Sequence, residues 1–355
     1  MKRKLATIYA AACTLLLVAG FLLVFYFALN EGAVASVKCL IGLVIGFVLS
    51  PILHELGHVS FAILAKMDYV YVKCFCFRIY LKDGKKHFGF ASPFLPDETQ
   101  VLPKMGGDMK KRATLYTLGG LVYSGIFFTL VLAGAILTAC FGKPSYKLFG
   151  MLPYTAYLFF LNLPPFEYAS GKTDALVYRG IRKGYAAELC MLSAMEIQGQ
   201  LFEGKSFAEI DEKYYFDLPQ LCEEEPLFAV LQDLRYRYYI EQDDKEKAAD
   251  HLNRLAQAQV YLSETEMQKV AAELTYMHAL LGNFEEAEES GKLCREYLSS
   301  SAPSAKRVLA AYSAAFGKTE AVAPLKEQAF EELKKERILG VEKFEKILLS
   351  RIAVE

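Results

Sequence analysis

The sequence predicts a mainly α-helical, polytopic membrane protein. The expected architecture is a bundle of four spans with a small β-hairpin insertion, followed by a cytosolic α-helical repeat domain. Three observations carry this expectation. Hydrophobic residues make up 54% of the 355 positions and mean hydropathy is +0.20, high for a soluble enzyme. Four long apolar runs with few charges fill the first half of the chain. From about Gly184 the pattern changes to charged, amphipathic helices, so the expected domains are 1–180 and 184–355.

Met1-Lys2-Arg3-Lys4 is basic, and an uncharged run over 5–30 follows. Crossing a bilayer core takes about 20 helical residues. Ala33-Val34-Ala35 offers the A-x-A site of a cleaved signal, but the apolar run far exceeds the usual ~7–15-residue signal core, so it reads as a retained span. The second span covers 34–65. Its Gly42 and Gly46 have a GxxxG spacing that admits another helix closely, and Pro51 is expected to bend it.

Residues 66–112 are mostly polar. Within them, 69–81 is rich in valine, isoleucine and aromatics, Lys82-Asp83-Gly84-Lys85-Lys86 carries a turn pair, and 87–90 can return antiparallel. This predicts a hairpin over 69–90 that either lies against the membrane or closes a small core of its own. The third span covers 113–141, with Gly119-Gly120 and Ser124-Gly125 as a small-residue face. The fourth covers 148–166 and is broken by Pro164-Pro165. Basic residues crowd the N-terminus and the 66–112 loop, whereas the 31–36 link has none and the 142–147 link has two. By the positive-inside rule the N-terminus, the hairpin and everything after Pro165 are expected in the cytosol.

Three helix pairs follow: 226–241 with 244–260, 265–281 with 283–298, and 304–316 with 319–336. The turns at Leu281-Gly282-Asn283 and Phe316-Gly317-Lys318 are alike and 35 residues apart; Gln242-Asp243-Asp244 fits them loosely. The spacing resembles a degenerate tetratricopeptide-type array, which implies a protein or peptide partner on a concave face. A plain helical bundle is the competing reading.

The net charge of -1 gives no electrostatic case for nucleic acid. Eight cysteines, none in a CxxC pair, exclude a disulfide framework or a cysteine zinc site. The chemistry concentrates in His54-Glu55-Leu56-Gly57-His58. Positions four apart share one helix face, so two neutral imidazoles can hold a zinc ion while Glu55 takes a proton from the attacking water. A third ligand must come from elsewhere; Asp174, Glu167 and Asp68 are the carboxylates on the right side of the membrane. His87, His251 and His278 have no ligand spacing to the motif. Four spans without an internal repeat pair argue against a transporter.

HExxH inside a span, with Asn162-Leu163-Pro164-Pro165 closing a later one, resembles the site-two protease family of intramembrane zinc metalloproteases. That family follows its Asn-x-x-Pro with an Asp-Gly whose aspartate is the third ligand. In the compact form this aspartate falls eight residues after the asparagine, where this chain has Ser170. A longer form, with the aspartate twelve residues on, fits Thr173-Asp174, with Ala175 in place of the glycine. The resemblance covers about 34–180. It implies one zinc per chain on His54, His58 and Asp174, with Glu167 as the other candidate third ligand. It also implies Glu55 as catalytic base, Asn162 on the substrate backbone, and a membrane-protein or peptide substrate cut at a lipid bilayer. The expected place is the cell membrane, multi-pass. The alternative function is an inactive membrane-anchored scaffold whose helical repeats bind partners.

Overall fold

A computed structural model describes residues 2–82, 85–92, 97–168 and 171–353. It falls into two compact units, Met1–Leu102 with Asp108–Tyr185, and Pro103–Gly107 with Ala186–Glu355.

The first unit is built on α1 (Lys2–Asn30), α2 (Ala33–Leu64), α3 (Met109–Cys140) and α4 (Tyr146–Asn162). Helices α1, α2 and α3 are long and apolar enough to cross a membrane. The fourth apolar run forms α4, a helix of 17 residues containing Pro153. At 1.5 Å per residue it reaches about 25 Å, at the lower limit of the roughly 17–25 residues that cross a hydrocarbon core. Ile8, Leu15, Leu16, Val44, Ile63 and Leu130 point outward from the three long helices. Water would penalise such faces and lipid does not.

Small residues decide which helices meet. A side chain at Gly42 or Gly46 of α2 would run into the backbone of Lys147 or Met151 on α4, and one at Gly150 into the backbone of Cys39. The partner of the GxxxG face is therefore α4. Further along α2, Gly57 packs backbone to backbone against Gly119 of α3. Helix α2 stays helical through Pro51.

Instead of one hairpin, the segment between α2 and α3 holds a four-stranded sheet in the order β3-β2-β1-β4. The strands are β1 (Met67–Cys74), β2 (Phe77–Lys82), β3 (Lys85–Phe90) and β4 (Glu98–Pro103). Two physical causes separate this from the expected hairpin. Phe75 adopts φ 53, which breaks the 69–81 run into β1 and β2. Asp97 accepts hydrogen bonds from Lys73 Nζ and Phe75 N, both at 2.8 Å, and so ties the start of β4 to β1. The expected Asp83-Gly84 turn lies outside the described residues. Strands β2 and β3 pair antiparallel, Phe77 with Phe90 and Ile79 with Phe88.

After α4 come the short antiparallel strands β5 (Glu167–Tyr168) and β6 (Gly171–Lys172), and then α5 (Asp174–Lys183).

The second unit is helical. Helices α6 (Ala186–Phe202) and α7 (Lys213–Phe216) precede three packed pairs: α8 (Pro226–Glu241) with α9 (Lys245–Gln257), α10 (Glu264–Leu281) with α11 (Phe284–Leu293), and α13 (Pro303–Ala315) with α14 (Val322–Leu333). The four-residue α12 (Arg295–Leu298) and the closing α15 (Leu339–Ser350) complete it. The turns inside the pairs share one conformation. Asp243, Gly282 and Gly317 are all left-handed, at φ 64, 76 and 71. In each, the next N–H donates five residues back: Asp244 to Tyr239, Asn283 to His278 and Lys318 to Ser313. This is the Schellman ending, and Asp243 fits it without being glycine. Tyr236, Tyr276, Leu252, Val308 and Phe344 centre the core. Within it Arg307, fully buried, donates to Glu345 at 2.7 Å and Glu273 at 2.6 Å.

Candidate metal centre

Helix α2 brings His54 and His58 to one face as their spacing requires, and both are buried, with ring centroids 5.0 Å apart. The sequence leaves open which ring nitrogen each presents. Helix α3 answers this. His58 Nδ1 lies 3.2 Å from the carbonyl oxygen of Tyr116, which can only accept, so Nδ1 carries the proton and Nε2 keeps its lone pair. His54 Nδ1 lies 2.9 Å from Ser124 Oγ, and the same tautomer fits. Partners behind metal-binding imidazoles fix ring orientation in this way.

Both Nε2 atoms point at one carboxylate. Asp174 Oδ2 lies 3.3 Å from His54 Nε2 and 3.4 Å from His58 Nε2. That oxygen is buried and has no hydrogen-bond partner. Zinc with ligands at about 2.0–2.2 Å in a tetrahedron needs donor–donor edges of about 3.3–3.6 Å. The two imidazole–carboxylate separations fall in that range, so the residues fit the ion.

The loop after α4 explains how Asp174 arrives there. Thr173 caps α5, its side chain accepting from Leu176 N at 3.2 Å. The same hydroxyl donates to the Pro164 carbonyl at 2.9 Å and accepts from Phe166 N at 3.2 Å, and Thr173 N donates to Phe166 O at 3.0 Å. The prolines end α4, β5 and β6 turn the chain back, and the cap places Asp174 as the first residue of α5. Glu167 sits exposed on β5, opposite Lys172 and outside the cluster. Asp68 pairs with Lys86 at 3.0 Å. Among the described residues, the one His, Cys or carboxylate group able to hold a metal is His54, His58 and Asp174.

No family model, curated protein or solved structure matches the chain.

Beside His54, His58 and Asp174 is a cavity of about 460 Å³, lined in part by Glu55, Thr99, Tyr116, Asn162 and Tyr168. Glu55 is buried, and its Oε2 accepts from Thr99 Oγ1 at 2.5 Å. Tyr116 OH donates to the carbonyl of the same Thr99. Asn162 borders the cavity while its Nδ2 donates to Leu158 O at 3.2 Å. Gly120 faces the two imidazoles: a Cβ there would lie 2.8 Å from His54 Nε2 and closer still to His58 Nε2.

Sequence reasoning missed Thr99, Tyr116, Ser124 and the role of Gly120. Thr99 sits in a stretch read as polar loop. The Gly119-Gly120 pair did carry a signal, read as helix packing alone, and it serves both ends: Gly119 meets α2 while Gly120 clears space before the two imidazoles.

Proposed function

We propose that this chain is an intramembrane zinc metalloprotease. The observation that carries the reading is the convergence of His54 Nε2, His58 Nε2 and Asp174 Oδ2 on one point, with Glu55 in the adjoining cavity, on a helix long and apolar enough to span a membrane.

His54, His58 and Asp174 would hold the ion. Bound there, zinc lowers the pKa of water and polarises a carbonyl. Glu55 accepts the proton of the attacking water and delivers it to the leaving amine nitrogen. Thr99 holds one oxygen of Glu55 and leaves the other for water. A helical substrate must unwind, because its carbonyls are already hydrogen-bonded. Strand β4 is at the sheet edge, and its Glu98 and Thr99 line the cavity, so an extended peptide can add beside it by backbone pairing. Asn162, which borders the cavity, would bond that peptide's backbone. In this reading α4 completes a four-helix membrane bundle, with both chain ends and the second unit in the cytosol. The shared Schellman turns support a tetratricopeptide-like array there, available to protein or peptide partners.

The test uses the purified full chain and a cell carrying it. Metal analysis is expected to find about one zinc per chain in the wild type and in Glu55→Gln, and none in His54→Ala or Asp174→Ala. Glu55→Gln is expected to slow cleavage of membrane proteins by about 10²–10⁴-fold. Undiminished cleavage in that variant sinks the assignment.

A further inference from the structure

Away from the metal centre, the second unit has an open groove between the end of α9, α10 and α11. Its volume is about 320 Å³, within the range of ligand-binding clefts at about 300–1,000 Å³. Its walls are Leu262, Met267, Val270, Ala271, Leu274 and Leu293. Among the described residues nothing covers two of its walls: Leu293 is 75% exposed and Met267 38% exposed. Single exposed apolar residues are ordinary, but a run of them around one concavity marks a contact surface.

Acidic residues outnumber basic ones around the groove. Glu264 is part of its wall. Gln268, also in the wall, donates to Glu296 at 3.4 Å. Glu289 lies one turn before Leu293 on α11 and is exposed. From 264 to 296 there are eight glutamates, of which Glu273 is buried against Arg307, and three cations, Lys269, Lys292 and Arg295. Lys292 is engaged by Glu288 at 2.9 Å. Glu264, Glu285, Glu286 and Glu289 have no ion-pair partner among the described residues. An acidic rim of this kind repels an anionic lipid surface and attracts basic peptide.

We infer that this groove binds a basic amphipathic helix, its apolar face in the cleft and its lysines or arginines on the glutamate rim. Helix-in-groove recognition uses apolar anchors at i, i+3 or i+4, and i+7, which suits a cleft of this size. The segment that fits is the cytosolic flank of a membrane-protein substrate, because the positive-inside rule makes such flanks lysine- and arginine-rich. That source rests on the protease reading; the chemistry of the groove does not. The groove would then hold a substrate through its flank, separately from the peptide bond cut.

The probe is a labelled amphipathic peptide with leucines on one face and lysines flanking them, titrated by fluorescence anisotropy with the full chain in neutral detergent, carrying Glu55→Gln to prevent cleavage. A second peptide has glutamates for the lysines. The lysine peptide is expected to bind at least about tenfold more tightly and to weaken about tenfold from low to high salt. Leu293→Asp and Met267→Asp, both at the surface, are expected to weaken it about tenfold each with an unchanged helical spectrum. Glu264→Lys with Glu289→Lys is expected to reverse the preference between the peptides. Equal binding of the two peptides, or full binding by Leu293→Asp, overturns the inference. So does a dimer of the chain that Leu293→Asp dissolves while peptide binding stays unchanged, since a second copy then fills the groove. Intact peptide binding in a protein without zinc or cleavage would overturn the protease reading and leave this one standing.

Discussion

At the residue scale, a glycine and a threonine shape the candidate site as much as His54, His58 and Asp174 do. Gly120 keeps α3 clear of both Nε2 atoms, since even a methyl group there would press on them. Gly120→Ala is therefore expected to lower zinc affinity about 10–100-fold, the usual effect of disturbing the shell behind metal ligands. Competition with a chromogenic chelator measures it, and unchanged affinity would show that the imidazoles swing aside freely. Thr99 contributes differently: its hydroxyl holds the carboxylate of Glu55 rather than His54, His58 or Asp174.

The element that matters most is the short return from α4 to α5. Pro164, Phe166 and Thr173 form a hydrogen-bonded knot that turns a helix break into a placed carboxylate. Replacing a threonine cap by alanine costs about 1 kcal/mol. Thr173→Ala is expected to lose that and also to loosen Asp174, weakening zinc binding, whereas Thr173→Ser retains both contacts and near-native affinity. Equal zinc affinity in the two variants would separate the cap from the metal centre. The motif Asn162-Leu163-Pro164-Pro165 was legible in the sequence, and so was the threonine before Asp174. Their joining was not, because it depends on β5 pairing with β6 and on the Pro164 carbonyl meeting a hydroxyl nine residues later.

At the scale of the whole molecule, the two units are stabilised by different physics. The first leaves large apolar faces outward and packs its helices through glycine contacts. The second closes an apolar core around a buried charge network. Arg307→Met would strand Glu273 and Glu345 without their cation, and removing one partner from a buried ion pair costs about 3–5 kcal/mol. Thermal unfolding of the second unit is expected to shift down accordingly, and an unchanged midpoint would show that water reaches the carboxylates. Acid should act on the same unit. Burial, then the neighbouring Arg235, push His251 down to about 4, from about 6.5 in an unfolded chain. As pH falls below about 6.5 the unfolded state takes up the proton first, so stability declines towards pH 4 and His251 adds no further loss below it. Burial pushes Glu273 up, but Arg307 and Arg237 outweigh this and hold its carboxyl below the ordinary range, so its contribution fades only at still lower pH. His251→Gln is expected to flatten the decline between pH 6.5 and 4, as read from unfolding midpoints.

The sequence by itself determined the long helices, the amphipathic pairs and the His54-Glu55-x-x-His58 face. Each depends on periodicity or spacing within a few turns, where local geometry leaves little choice. Only the tertiary structure decided that β4 is an edge strand beside the cavity, that Asp174 rather than Glu167 meets the histidines, and which ring nitrogens face it. Those outcomes rest on contacts between distant positions: Ser124 lies 70 residues from His54, and Thr99 lies 44 from Glu55. No period in the chain encodes such a contact; it exists once glycines let the helices close and the backbone polar groups find their partners.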